Sequence, residues 1–376
     1  MSNKEQRKAP ILRFKGYTDD WELHKWKNIL LVNSGKDYKH LNKGSIPVYG
    51  TGGYMLSVDK ELSNKDAIGI GRKGTIDHPQ YLKAPFWTVD TLFFMTPKKG
   101  ININFAFALS QTINWKKYDE STGLPSLSKN SINNISVKIP KYNEQKKIGN
   151  LISQIERLLA LQQRKLNDLD KIQKMLEDSL FPNTKNIRKL KFTQDNWQVR
   201  KLKDIFNERN IHNQDEQLLS VSISKGIYPF NSSDRKDNSS SNKSNYKLVE
   251  KGDIAYNSMR MWQGACGVSD YKGIVSPAYT VITPHREENA RFYFYYFKNN
   301  RMKFEFRRHS QGLTSDTWNL KFPLFKNISI ETPNNENEQI KISQILNTLN
   351  KTMNYNRNRI NKLNLFKKFL LQKMFI

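Results

Sequence analysis

The sequence predicts an α+β protein of two similar halves, each a globular domain followed by one long amphipathic helix. Three observations predict it. A stretch from Asn143 to Phe181 is written a second time from Asn337 to Phe375, 194 residues on (Glu144 to Glu338) and without a gap. The opening recurs as well, with Trp21 matched by Trp197. Between these matched ends lie two middles that share no sequence and read as short β runs broken by glycine turns.

In the first long stretch apolar residues recur every seven positions. Ile148, Ile155, Leu169 and Leu176 form one line and Leu151, Leu158 and Ile172 the next, flanked by Ile152, Leu159, Leu166 and Leu180. That is the pattern of a coiled-coil seam. Such a helix runs on the order of 55 Å, longer than one small domain needs to cover its core. Two copies in one chain are therefore expected to pack on each other. The second domain begins where the first helix ends and must feed the second helix, so the expected packing is antiparallel, with a globular domain at each end of a rod. Gln162 and Asn356 occupy matching places in the apolar lines, where a polar side chain fixes register at some cost in stability. The expected segments are a first domain over 1–142, a spacer helix over 143–181, a second domain over 182–336 and a second spacer helix over 337–376.

Taken in order, residues up to Ala9 are polar, and Leu12 to Phe14 lead through Gly16 to Trp21 and Trp26. The first middle offers β runs at Ile46–Tyr54, Ala67–Ile76 and Phe86–Phe94; the second at Leu218–Ser224, Asp253–Tyr256 and Tyr279–Ile282. Asn231 to Asn245, dense in serine and asparagine, reads as a loop. Each middle carries an aromatic-rich helix, Asn104–Tyr118 and Arg291–Arg308, and the run Arg291 to Lys298 reads as core. Each closes on a matched run, Ser121-Thr122-Gly123-Leu124 and Ser310-Gln311-Gly312-Leu313, just before the last strand and the long helix.

A formal charge of +27 and a pI near 9.8 point to a polyanionic partner, with nucleic acid first among them. The sequence shows no membrane span or secretory signal and holds a single cysteine, Cys266, which fits a soluble protein of a reducing cytoplasm. Enzymatic motifs are weak. Gly69-Ile70-Gly71-Arg72-Lys73-Gly74 matches a dinucleotide-binding fingerprint, but Thr75 to Pro79 read as strand and turn where that motif needs a helix. Ser276-Pro277-Ala278-Tyr279 lacks the Asn and second Pro of a methyltransferase tetrad and reads as a strand entry. The histidines, His24, His40, His78, His212, His285 and His309, show no metal-ligand spacing, so no metal is expected. Basic residues beside aromatics and amides are the types that neutralise phosphate and reach base edges. On that ground the candidate DNA-binding residues are Tyr49, Thr51, Arg72, Lys73, Ser126 and Lys129 in the first domain. In the second they are Ser224, Lys225, Arg260, Trp262, Gln263, Ser315 and Asp316.

Taken together, Arg13 to Glu22, Ile46 to Gly50, Ile70 to Gly74, Phe86 to Thr91, Glu144 to Ile148, Lys251-Gly252-Asp253-Ile254 and the two long helices resemble the specificity subunits of type I restriction-modification systems over essentially the whole chain. The resemblance implies two target recognition domains, each reading half of a split double-stranded DNA site, on a helical spacer. The spacer would bind two methyltransferase subunits and, through them, restriction subunits. It implies no catalytic residue and no cofactor on this chain, with S-adenosylmethionine, ATP and Mg²⁺ on the partners. Two alternatives stand beside it: a single-chain DNA-modifying enzyme, and a coiled-coil scaffold whose charge serves only non-specific binding.

Overall fold

A computed structural model describes residues 9–181, 197–223, 225–232 and 242–376. Helices run at Trp26–Ile29 (α1), Ile103–Ser110 (α2), Lys129–Asn134 (α3), Tyr142–Leu180 (α4), Ala290–Phe297 (α5), Asn300–His309 (α6), Phe322–Phe325 (α7) and Glu336–Met374 (α8). The chain divides into two compact units, Met1–Lys165 with Asn356–Ile376, and Leu166–Tyr355. Each therefore holds the start of one long helix and the end of the other. Among the described residues no helix is long and apolar enough to cross a membrane.

In the first unit the strands are β1 (Glu22–Lys25), β2 (Leu30–Ser34), β3 (Lys43–Gly50), β4 (Gly53–Val58), β5 (Ala67–Gly71), β6 (Gln80–Leu82), β7 (Trp87–Thr88), β8 (Leu92–Pro97) and β9 (Ser136–Ile139). Antiparallel β2-β8-β5-β6 form one sheet, β4-β3-β7 a second, and β1 pairs with β9 at the foot of α4. The larger cluster of buried residues joins the first sheet to the helices. In it Trp26 meets Trp115 edge-on at 5.9 Å and donates its indole N–H to Met95 Sδ at 3.1 Å. The end of α8 closes this cluster, where Phe375 stacks on Phe105 at 5.5 Å and meets Trp21 at 6.2 Å. Lys367 of α8 reaches Glu156 of α4 at 2.7 Å, while Phe375, just past the end of α8, stacks on Phe105, which lies against Gly149 near the start of α4, so in this unit the helices run antiparallel.

The second unit repeats the frame. Its strands are β10 (Gln198–Lys201), β11 (Phe206–Glu208), β12 (Leu219–Ser222), β13 (Gly226–Pro229), β14 (Lys247–Val249), β15 (Ile254–Asn257), β16 (Cys266–Val268), β17 (Gly273–Val275), β18 (Tyr279–Pro284) and β19 (Ser329–Thr332). β10 pairs with β19 as β1 does with β9, and the sheet β11-β18-β15-β16 has the strand order of β2-β8-β5-β6. Phe181, the match of Phe375, stacks on Tyr296 at 4.9 Å beside Trp197. Cys266 lies fully buried in β16, and burial pushes its thiol up to about 11. Thiol reagents are accordingly expected to leave it unlabelled in the native chain and to label it once denatured; rapid native labelling, read by mass spectrometry, contradicts this packing.

The Glu-Gln pair that opens each long helix is explained by what the glutamine holds. Gln145 Oε1 accepts from the backbone N–H of Asn102, the cap of α2, and its Nε2 donates to the Pro140 carbonyl. Gln339 does the same with Asn289, the cap of α5, and Pro333. The glutamates differ: Glu144 takes both arms of the Arg13 guanidinium, at 2.9 and 2.7 Å, whereas Glu338 takes the Trp197 indole N–H at 3.1 Å.

Three expectations are corrected. The inner seam of α4 is Ile148, Ile152, Ile155, Leu159, Gln162, Leu166, Leu169, Gln173, Leu176 and Leu180, all buried or half-buried, while Leu158 and Ile172 are exposed. A seven-residue period fixes a line but leaves open which neighbour lies inside. The residue four on is turned about 40° from the line and the residue three on about 60° the other way, so the i+4 neighbours complete the narrower seam. The matched seam of α8 runs from Ile342 to Met374, with Asn356 buried in it. Second, Asn104–Tyr118 is not one helix: α2 ends at Ser110, whose carbonyl accepts from the Trp115 indole, and Trp115–Tyr118 forms a separate 3-10 turn. Third, Arg291–Arg308 breaks into α5 and α6, because the Asn299 side chain caps α6 by accepting from Arg301 N–H. The run Arg291 to Lys298 is core as expected, with Phe292, Tyr293, Tyr295, Tyr296 and Phe297 buried. Residues 1–8, the second opening over Lys191 to Asp195, and much of the polar loop after Asn231 lie outside the described residues.

Candidate nucleic-acid interface

In the first unit the candidates gather where β5 leaves its sheet. A Cβ on Gly71 would sit 2.1 Å from the Thr75 carbonyl oxygen, so the chain can double back here only at glycine. No helix follows, and the fingerprint is a structural turn. The turn is stitched from both sides: Arg72 N–H donates to Thr91 O at 2.8 Å, Leu127 N–H to Arg72 O at 2.9 Å and Gly74 N–H to Pro125 O at 2.8 Å. Lys73 bridges to Ser126, and Lys129 follows at the start of α3. Arg72, Lys73, Ser126 and Lys129 thus come together, with both cations of the turn exposed and the Arg72 guanidinium 5.8 Å from the Phe93 ring centre. Below the turn, hydrogen bonds from Lys116 and His78 hold the Asp77 carboxyl down at about 2, tying the loop to the 3-10 turn.

Tyr49 and Thr51 lie on the neighbouring β3–β4 hairpin. Tyr49 is half-buried against the smaller cluster, and its carbonyl accepts from Val89 N–H. Thr51 lines a cavity of about 730 Å³ with Lys39, Tyr54, Asp90 and Thr91. Thr91 thereby joins the hairpin to the Arg72 turn. Lys39 and Tyr54 lie outside the runs that carry the family resemblance and Asp90 inside one of them; only the fold brings the three to the cavity.

In the second unit Arg260, Trp262, Gln263, Ser315 and Asp316 come together. Arg260 precedes the 3-10 turn Met261–Gln263, and its guanidinium lies 3.9 Å from Asp316 Oδ1 and 3.5 Å from the Ser315 carbonyl. Trp262 meets Trp318 edge-on at 5.1 Å, and Arg307 covers the same Trp318 ring at 4.9 Å. Trp318 and Arg307 organise the cluster and were missed by the sequence. Lys225 sits apart on the β12–β13 turn, its ammonium 5.3 Å from the Tyr228 ring centre. Lys298 anchors that turn by donating to the Ile223 carbonyl at 2.7 Å, and burial pushes its amine below the usual range. Ser224 lies outside the described residues.

Two stretches, residues 18–171 and 194–365, match the family model of the type I restriction modification DNA specificity domain. The chain belongs to that family. It is 25% identical over 150 residues to the type I restriction enzyme MjaVIII specificity subunit of Methanocaldococcus jannaschii, a match covering 38% of this chain and 33% of that protein. The matched region thus spans about a third of that relative's length. The crystal structure of a type I restriction-modification system S subunit from M. genitalium superposes with a TM-score of 0.74 at 15% identity, covering 98% of this chain and 99% of the other. This likeness shows that the two share a fold.

Proposed function

We propose that the chain is the DNA-reading and scaffolding subunit of a type I methylation and restriction complex, with two recognition domains for the two halves of a split target. One observation carries the reading: a single structural frame is built twice around middles of unlike sequence, and each middle gathers cations beside hydroxyl or amide side chains on loops next to its sheet. Phosphate contact supplies affinity and base-edge contact supplies choice, so two unlike readers on one chain suit a bipartite site. The catalytic steps, with S-adenosylmethionine, ATP and Mg²⁺, belong to the partners.

The long helices support two methyltransferase subunits. Ile172 and Met175 are exposed on α4 in the second unit, and their matches 194 residues on, Phe366 and Phe369, are exposed on α8 in the first. These positions lie on one flank of the seam, outside it. Large apolar residues left in water at the same two places of both copies suit two equivalent docking sites. Mixed with its methyltransferase, the chain is expected to give a complex of two methyltransferases to one chain that methylates a split site, whereas the chain alone neither binds S-adenosylmethionine nor methylates. Phe366→Ser with Phe369→Ser should remove one methyltransferase of the two in native mass spectrometry. Cofactor binding by the isolated chain in calorimetry sinks the assignment of catalysis to the partners, and an unchanged stoichiometry in the variant sinks the docking sites.

A further inference from the structure

The matched runs before the last strand of each unit end on leucines that folding leaves in water, Leu124 at 67% exposure and Leu313 at 100%. One exposed leucine is ordinary on a protein surface. Here the two occupy the same place in the repeated frame, and each is carried on a loop made rigid by different means. Around Leu313, Gln311 and Asn319 exchange backbone hydrogen bonds at 3.0 and 2.7 Å, and Thr317 N–H donates to the Thr314 carbonyl at 3.0 Å. Gly312 has φ +135°, and a Cβ there would meet the Thr317 carbonyl carbon and oxygen at 2.6 Å, so the tip requires glycine. Its base is the Trp318 ring held between Trp262 and Arg307. Around Leu124, the Asp119 carboxylate accepts from Ser121 N–H at 3.0 Å, Ser121 Oγ at 2.9 Å and Ser126 N–H at 2.9 Å, and these bonds hold it below the usual carboxylate range.

The surroundings of both leucines decide the kind of partner. A protein-docking face presents several apolar side chains together, as the flanks of the long helices do. Within each run the leucine is the one large apolar side chain: Gln311, Thr314, Ser315, Asp316 and Thr317 are exposed and polar, Arg260 lies at the tip's side, and Lys73 bridges to the residue two past Leu124. A lone aliphatic side chain on a polar, cation-flanked loop suits the major groove of DNA, where the thymine 5-methyl is the apolar group on display. Resting on the reading of the chain as a DNA reader, we propose that Leu124 and Leu313 are specificity-determining residues, each pressing against a thymine 5-methyl in the major groove of one half-site.

The test uses the assembled methyltransferase complex and the target identified by methylome sequencing. Removing one buried methyl group's worth of apolar contact costs roughly a 4-fold loss of affinity, so Leu313→Ala is expected to weaken binding to the target duplex by about 4- to 10-fold. Uracil in place of the thymines of one half-site should weaken the native complex similarly, and the variant on the uracil duplex should bind no worse than either change alone. Leu124→Ala should show the same non-additivity through the other half-site. Additive losses, an undiminished affinity, or a half-site without an A·T pair overturn the methyl contact. Loss of methyltransferase from the variant complex, with the affinity of assembled complexes unchanged, assigns the tips to the protein partner and overturns the proposal. A native complex that prefers no duplex overturns the DNA-reading function itself, a result distinct from any failure of the leucines.

Discussion

Asp253→Ala is expected to lower the melting temperature of the second unit by about 6 to 20 °C, from a loss of roughly 3 to 5 kcal/mol. The carboxylate is 2% exposed and accepts from Arg209 Nε at 2.6 Å, Arg209 Nη2 at 3.1 Å, Glu250 N–H at 2.8 Å and Thr283 Oγ1 at 2.8 Å. Its removal leaves a guanidinium, a backbone N–H and a hydroxyl facing a hole, beside strands β11, β15 and β18. Stranded buried donors cost more than the pair contributes while intact, and a domain's whole stability is only ~5 to 15 kcal/mol. Replacing both members, Arg209→Met with Asp253→Leu, should recover part of the loss because no charge is then left unpaired. Thermal unfolding followed by circular dichroism decides it. A melting temperature within about 2 °C of the native value would mean that the ion pair is solvated and the network carries little.

This network shows where sequence reading reaches and where it stops. Lys251-Gly252-Asp253-Ile254 helped to mark the family, yet the motif does not say that Asp253 is a brace inside the sheet rather than a residue facing DNA. The frame was legible because its physics is periodic or repeated: the seams, the Glu-Gln pairs, and the tryptophan and phenylalanine that share one core cluster in each unit. The common sheet order of β2-β8-β5-β6 and β11-β18-β15-β16 was not legible, since strand order depends on pairings between residues far apart that short β runs do not encode. The choice of inner line on α4 escaped for a related reason: Leu158 and Ile172 are as apolar as Leu159 and Leu166, and a seven-residue count alone does not separate the two lines. In the candidate interface, Arg72 and Lys73 stood out beside glycines. Trp318 and Arg307 did not, because Trp318 matters through its edge-on contact with Trp262, 56 residues upstream in sequence, and Arg307 through the Trp318 ring it covers.

Exchanging the first middle for that of a relative is expected to change one half of the methylated target and leave the other half intact. The sequence alone places the cuts at about residues 30 and 135, inside a packed joint. Trp26 is wholly buried against Trp115 and Met95, which belong to the middle, while its own N–H donates to the Ile135 carbonyl at 2.7 Å. A cut at residue 30 leaves the tryptophan in the recipient and its partners in the donor, and a mismatched aromatic core costs roughly 1 to 3 kcal/mol by overpacking or more by cavity. Exchanging residues 26–135 carries Trp26, Trp115 and Met95 together and keeps β1 and β9 as the recipient's own pair. The donor must also supply an Asn102-like cap whose N–H meets Gln145, or α2 will lose its seat on α4. With those conditions met, methylome sequencing should show a new first half-site beside the original second one. The expectation rests on packing, because the core clusters around the first middle are built from the first unit's own residues. A target altered in both halves would mean that the units do not read DNA separately.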